Sequence, residues 1–114
     1  KMKNYETVFI LNPALSEEQV EKAVDKYEKF LKSSGAKIVS KEIWGLKKLA
    51  YSIQNKNSGF YNLIEYTAKA DVVSSLELEF SRDETVMRYL TVTLEKDAIE
   101  WAEKRRNRNT KKAS

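Results

Sequence analysis

Tyr5-Glu6-Thr7-Val8-Phe9-Ile10-Leu11-Asn12-Pro13-Ala14-Leu15-Ser16-Glu17-Glu18-Gln19-Val20 changes its structural period midway, and that change decides the fold class. Residues 5–12 are rich in β-branched and aromatic side chains and stop at Asn12-Pro13, which predicts a strand. From Ser16 the pattern turns helical. Gln19 stands three residues on and completes a capping box, while Glu17, Glu18 and Glu21 favour the positive start of a helix. Val20, Ala23, Val24, Tyr27, Phe30 and Leu31 then recur at steps of three and four, so they share one face, and Gly35 is the expected stop.

Outward from that unit, residues 36–53 read as a long extended stretch with a bulge or bend at Gly45. Residues 54–59 are turn formers, predicting a polar loop and a hairpin into a strand over 60–68. A second helix is expected over about 71–80, capped by Asp71, with Val72, Val73, Leu76 and Phe80 inward. Residues 86–94 give the last strand, and 95–106 a short helix ahead of a basic tail. The order is β-α-β-β-α-β. Two right-handed crossovers around a central hairpin predict an α+β, ferredoxin-like sandwich: a four-stranded antiparallel sheet with both helices on one face. Residues 2–94 would form this one domain, and 95–114 a C-terminal tail.

A chain of 114 residues is one domain's worth, and 41% hydrophobic with 33% charged residues is an ordinary globular balance. Its longest apolar run near the N-terminus is Val8-Phe9-Ile10-Leu11, strand-sized and far short of the roughly 20 residues of a membrane helix. No secretory pattern opens it, and Lys1 ahead of Met2 is set aside. There is neither cysteine nor histidine, which removes disulfides, thiolate chemistry, the usual zinc ligands and the commonest general base. A cytoplasmic home is consistent with this. No metal and no cofactor is expected.

The net charge of +4 is uneven. Lys104, Arg105, Arg106, Arg108, Lys111 and Lys112 crowd the last eleven residues without an acidic one, leaving 15 basic against 17 acidic residues elsewhere. Such a tail suits a polyanion.

A sheet covered on one side should be polar on the other, yet both parity sets are apolar. Tyr5, Thr7, Phe9 and Leu11 go with Ile64, Tyr66, Tyr89 and Thr91; Val8 and Ile10 go with Tyr61, Leu63, Leu90 and Val92. Whichever set meets the helices, the other leaves a patch for a partner, unless the C-terminal segment folds over it with Ile99 and Trp101 as anchors. Lys47 and Lys48 beside Trp44 and Tyr51, and Arg82 and Arg88 around Tyr89, combine cations for phosphate with aromatics for bases. A solvated strand edge guarded by lysines is the alternative.

The same topology carries the RNA recognition motif, whose third strand needs a cation, glycine and alternating aromatics. Ser58-Gly59-Phe60-Tyr61-Asn62 lacks the cation, and its adjacent aromatics point to opposite faces. A freestanding RNA-binding regulator is therefore the lesser reading. An enzyme reading is weaker still. Three isolated glycines form no phosphate-cradling loop, no nucleophile–base pair is visible, and Glu17, Glu18, Glu21, Asp25 and Glu28 are solubilising charge. Acylphosphatase-like catalysis on this topology carries no weight by itself. No small-molecule substrate and no membrane are expected.

Tyr5-Glu6, the block Trp44-Gly45-Leu46-Lys47-Lys48-Leu49-Ala50-Tyr51-Ser52-Ile53, and Phe80-Ser81-Arg82 followed by Val86-Met87-Arg88 together resemble the bacterial small-subunit ribosomal protein six family over roughly residues 2–94. The resemblance implies a non-catalytic component of the small-subunit platform. Members pair with ribosomal protein eighteen and bind the central domain of the small-subunit ribosomal RNA. It places Lys47 and Lys48 at the family's two-cation positions and Arg88 at its last-strand cation, with Arg82 and Lys3 as further contacts to RNA or partner. It also implies that Val8, Ile10, Tyr61, Leu63, Leu90 and Val92 form the open, partner-binding set, so that Leu63→Glu should impair pairing. Departures are Ser52 where some members have proline, Met87 where a cation is frequent, and a basic rather than acidic tail. The tail cations Lys104, Arg105, Arg106 and Arg108 are expected on RNA from their charge, not from the resemblance.

Overall fold

The capping box at Ser16 is formed: its hydroxyl accepts from the Gln19 amide at 3.1 Å, and the Gln19 side chain accepts from the Ser16 amide at 2.8 Å. This computed structural model describes residues 2–53 and 55–94. The helix so started, α1, spans Glu17–Ser33 and buries Val20, Val24, Tyr27 and Leu31. It ends as expected at Gly35, whose φ of 93° takes the left-handed conformation that glycine allows. The Gly35 amide then donates to Lys32 and the Ala36 amide to Leu31, at 3.1 and 2.9 Å, closing a Schellman motif.

Before α1 runs strand β1, Lys3–Leu11; after it come β2 (Lys37–Ile53), β3 (Lys56–Ala68), helix α2 (Ala70–Arg82) and β4 (Val86–Thr93). The four strands form one antiparallel sheet in the order β2-β3-β1-β4, the ferredoxin-like arrangement. The predicted helix 95–106, and the tail with Ile99 and Trp101, lie outside the described residues.

Two expectations are corrected. α2 begins a residue earlier than expected and runs to Arg82; its N-cap is Lys69, with no side-chain cap bond. Asp71 sits inside the first turn, where its charge favours the helix dipole but its side chain caps nothing. The supposed loop at 54–59 is mostly strand: Lys47 pairs with Gly59 and Lys48 with Ser58, and β3 starts at Lys56. Ladder pairing overrides the turn-forming composition there. The bulge expected at Gly45 is present, with Trp44 as its extra residue between the pairs Ile43–Asn62 and Gly45–Tyr61.

The core lies between sheet and helices. Tyr5, Phe9, Leu11, Ile64 and Tyr66 from the sheet pack on Val20, Val24, Tyr27, Leu31, Val72, Leu76 and Phe80 from the helices. Thr7, buried on the same face, shares its hydroxyl with Tyr66 at 2.9 Å and Thr91 at 2.8 Å, so its polarity is satisfied.

Asp83, in the turn between α2 and β4, ties that turn to α1. Its carboxylate accepts from the Tyr27 hydroxyl, from the Thr85 amide at 2.9 Å and from the Thr85 hydroxyl at 2.7 Å, with Lys26 at 3.5 Å. Burial alone would raise its pKa, but the Tyr27 and Thr85 hydrogen bonds and the Lys26 charge outweigh it and hold the carboxyl below its ordinary value. A lowered folded value stabilises the fold fully above the unfolded carboxylate pKa of about 3.9, and the contribution is lost as pH falls through the folded value. Wild type is therefore expected to exceed Asp83→Asn by about 1 kcal/mol at neutral pH, since Asn keeps an acceptor but not the charge. Urea titrations at descending pH should show that gap closing in the acid range. A gap that persists unchanged would mean the turn does not depend on the ionised carboxyl.

Candidate functional site

On the face turned away from the helices, the register sets side chains in rows across the strands. Arg88, Ile10, Tyr61 and Gly45 form one row, and Leu90, Val8, Leu63 and Glu42 the next. Beyond these come Val92, Glu6, Glu65 and Ser40. All six residues of the expected partner set therefore share this face, but not equally. Leu90 and Val92 are 63% and 41% exposed, Val8 and Tyr61 are half-buried, and Ile10 is buried. Leu63 is only 1% exposed, so it cannot be a contact residue in the free chain without rearrangement.

Ile10 is held in a second small cluster with Leu49 and Met87, against which Ile53 and Tyr61 pack. Gly59 makes this possible, since a Cβ there would lie 2.4 Å from the Ile10 Cγ2 atom. Met87 is thus a packing residue here. Sequence periodicity could not find this cluster, because Leu49 and Met87 both flank register shifts.

The cations divide between two ends of the sheet. Lys47 and Lys48 lie on β2 opposite Gly59 and Ser58, and Arg88 lies on β4 opposite Ile10; all three are exposed. Arg82 is exposed in the last turn of α2, just ahead of the turn that enters β4 at this same end. Lys3 pairs with Ala68, nine residues along β3 from Gly59, which is about 30 Å at the usual rise per residue. One patch therefore cannot hold Lys3 and Lys47 together. Lys104, Arg105, Arg106 and Arg108 lie outside the described residues.

No acidic residue occurs between Glu42 and Glu65, whereas Lys47, Lys48 and Lys56 all do. Lys56 was missed from sequence because its segment was read as loop, although this acid-free interval was the available signal. Lys47, Lys48, Lys56 and Arg88 have no ion pair among the described residues. Lys41, by contrast, is committed to Asp25 and Glu28 of α1 at 3.3 and 3.2 Å. The opposite end of the sheet carries Glu6 and Glu65, directly paired across strands.

The aromatic neighbours sort differently from the sequence expectation. Tyr89 faces the helices and stacks on Phe80 at 5.2 Å between ring centroids, so it belongs to the core and not to a surface beside Arg88. Trp44 stacks on Tyr61 at 6.5 Å with rings nearly parallel, and its indole N–H donates to Glu42 at 3.2 Å. Tyr51 is 81% exposed.

The chain is similar to known proteins over most of its length. The sequence profile of the family described as Ribosomal protein S6 matches residues 4–93. The small ribosomal subunit protein bS6 of Christiangramia forsetii is 65% identical over 112 residues, which span 98% of this chain and 100% of that protein. Its counterpart in Flavobacterium psychrophilum is 63% identical, over 92% of this chain and 93% of its own. The crystal structure of 30S ribosomal protein S6 from Thermotoga maritima matches with a TM-score of 0.79 at 26% identity, covering 96% of this chain and 99% of that one. With family profile, relatives and fold in agreement over nearly its whole length, the chain belongs to the ribosomal protein S6 family of the small ribosomal subunit.

Proposed function

We propose that this protein is a structural component of the small ribosomal subunit that binds the central domain of its RNA together with ribosomal protein eighteen, in the cytoplasm. The observation that carries this reading is the division of the sheet between its two ends. Its hairpin end holds Lys47, Lys48, Lys56 and Arg88, with no acidic residue in the interval 43–64. The adjoining rows expose Leu90 and Val92. Unpaired cations at the hairpin end suit phosphates, and exposed apolar side chains in the adjoining rows suit a protein partner. Lys47, Lys48, Arg82 and Arg88 would grip the RNA backbone, with Lys104, Arg105, Arg106 and Arg108 adding to the same polyanion contact. Lys3 is assigned a separate contact at the far end. Val8, Ile10, Tyr61 and Leu63 would support the partner surface that Leu90 and Val92 present.

Changing Lys47 and Lys48 together to Ala is expected to weaken binding to a central-domain transcript. It should lower the slope of log K against log salt by about one for each lost phosphate contact. Both side chains are exposed and unpaired, so Tm should change little. Filter binding across a salt series provides the check; an unchanged slope would remove both lysines from the RNA interface.

A further inference from the structure

We infer that Tyr51 is a base-stacking residue, so that the hairpin end recognises an unpaired nucleotide as well as phosphates; this deepens the RNA-binding reading and rests on it. Tyr51 is the most exposed of the large hydrophobic and aromatic side chains described, at 81%. It is not a loosely held residue on a slack loop. Leu49 and Ile53, two positions to either side, are packed into the cluster with Ile10 and Met87, which anchors the strand that presents the ring. Across the ladder, Lys56 pairs with Ile53, and Lys48 pairs with Ser58, so both strands of the hairpin that carries the ring also carry lysine.

The other aromatic side chains of this hairpin are already used. Phe60 packs toward the helices, and Trp44 and Tyr61 stack on each other. Tyr51, by contrast, has neither a ring partner nor a place in a core cluster among the described residues. Leaving an aromatic ring in water forfeits its burial energy, and a ring set among unpaired lysines with no carboxylate in the segment is matched to one chemistry: a base on an anionic backbone. A protein partner is the less suitable occupant. On β2 itself the nearest exposed apolar residue, Leu46, is five residues away with Lys47 and Lys48 between, and Leu90 and Val92 lie on β4, across the sheet from this hairpin. A duplex would also leave the ring idle, because paired bases offer no free face; a bulged or looped-out nucleotide does.

The test uses the full chain, its partner protein and a central-domain transcript, comparing wild type with Tyr51→Phe, Tyr51→Leu and the Lys47→Ala, Lys48→Ala pair. Tyr51→Phe should bind within about twofold of wild type, and Tyr51→Leu should lose roughly tenfold. Neither should alter the salt slope, since no charge is removed. Chemical probing of the RNA should show one or a few unpaired nucleotides losing protection with Tyr51→Leu only. If Tyr51→Leu binds like wild type while the lysine pair loses slope, stacking is wrong and RNA binding stands. If none of the three variants changes binding, both readings fail. If Tyr51→Leu loses affinity with every nucleotide protected as before, and its loss follows partner concentration, the ring contacts protein and the inference is overturned.

Discussion

Leu90→Glu is expected to weaken pairing with the partner protein by roughly 30-fold or more, the cost of losing an interface anchor, while the variant melts within a few degrees of wild type. Leu63→Glu should do the reverse of what its place in the sequence suggests and compromise the fold itself. The two residues are near neighbours on one face, each directly opposite Val8, from β4 and β3 respectively. Their surroundings differ. Leu90 stands on an edge strand at 63% exposure, with Arg88 two residues away on the same face, so a carboxylate there stays hydrated beside a cation. Leu63 is 1% exposed on an inner strand, opposite Glu42 and two residues from Glu65. A third carboxylate in that setting loses the burial of leucine, about 2 kcal/mol, and adds desolvation and like-charge repulsion, for a total on the order of 4 kcal/mol. Calorimetric titration with the partner, alongside thermal melts, separates the outcomes. A folded Leu90→Glu that still pairs at wild-type affinity would show that this face is not the docking surface.

That contrast marks what the sequence could and could not convey. The switch at Asn12-Pro13 from strand to helix period, the Ser16–Gln19 box and the stop at Gly35 are local, and each was legible because neighbours in sequence make the relevant contacts. The order of elements then left few topologies to choose from. Period-two alternation correctly grouped Val8, Ile10, Tyr61, Leu63, Leu90 and Val92 on one face, but alternation carries no information about depth across a sheet. Leu63 on inner β3 is buried and Leu90 on edge β4 is exposed, a difference set by the tertiary surroundings of each. The residues at 56–59 were misread for a related reason: asparagine, serine and glycine prefer turns in isolation, and only pairing with Lys47 and Lys48 makes them strand. The cation set was legible as composition, yet its division between two ends of the sheet follows from the β1–β3 register, which no local pattern encodes.

Phe80→Ala is expected to be the most damaging single truncation, at about 3–5 kcal/mol. The ring sits among three others, with centroids 4.5 Å from Tyr27, 5.0 Å from Phe9 and 5.2 Å from Tyr89, so α1, β1 and β4 all meet on it. No neighbour can close the gap alone, because each is fixed by its own element: Tyr27 by its bond to Asp83, Phe9 by two ladders and Tyr89 by β4. Against a total stability of roughly 5–15 kcal/mol for a domain of this size, the loss should lower Tm by 15 °C or more and leave part of the population unfolded at 37 °C. Phe80→Leu, which keeps most of the volume, should lose well under half as much. The consequence for function follows from position. Arg82 is two residues beyond Phe80, Arg88 and Leu90 flank Tyr89, and Lys48 flanks the buried Leu49, so the proposed contacts are held in place by the core residues beside them. RNA and partner affinity should therefore fall together in Phe80→Ala in proportion to the unfolded fraction, and recover together on cooling or on adding a stabilising osmolyte. A fully folded Phe80→Ala, with a loss below about 1 kcal/mol, would mean the aromatic cluster is not the centre on which sheet and helices are assembled.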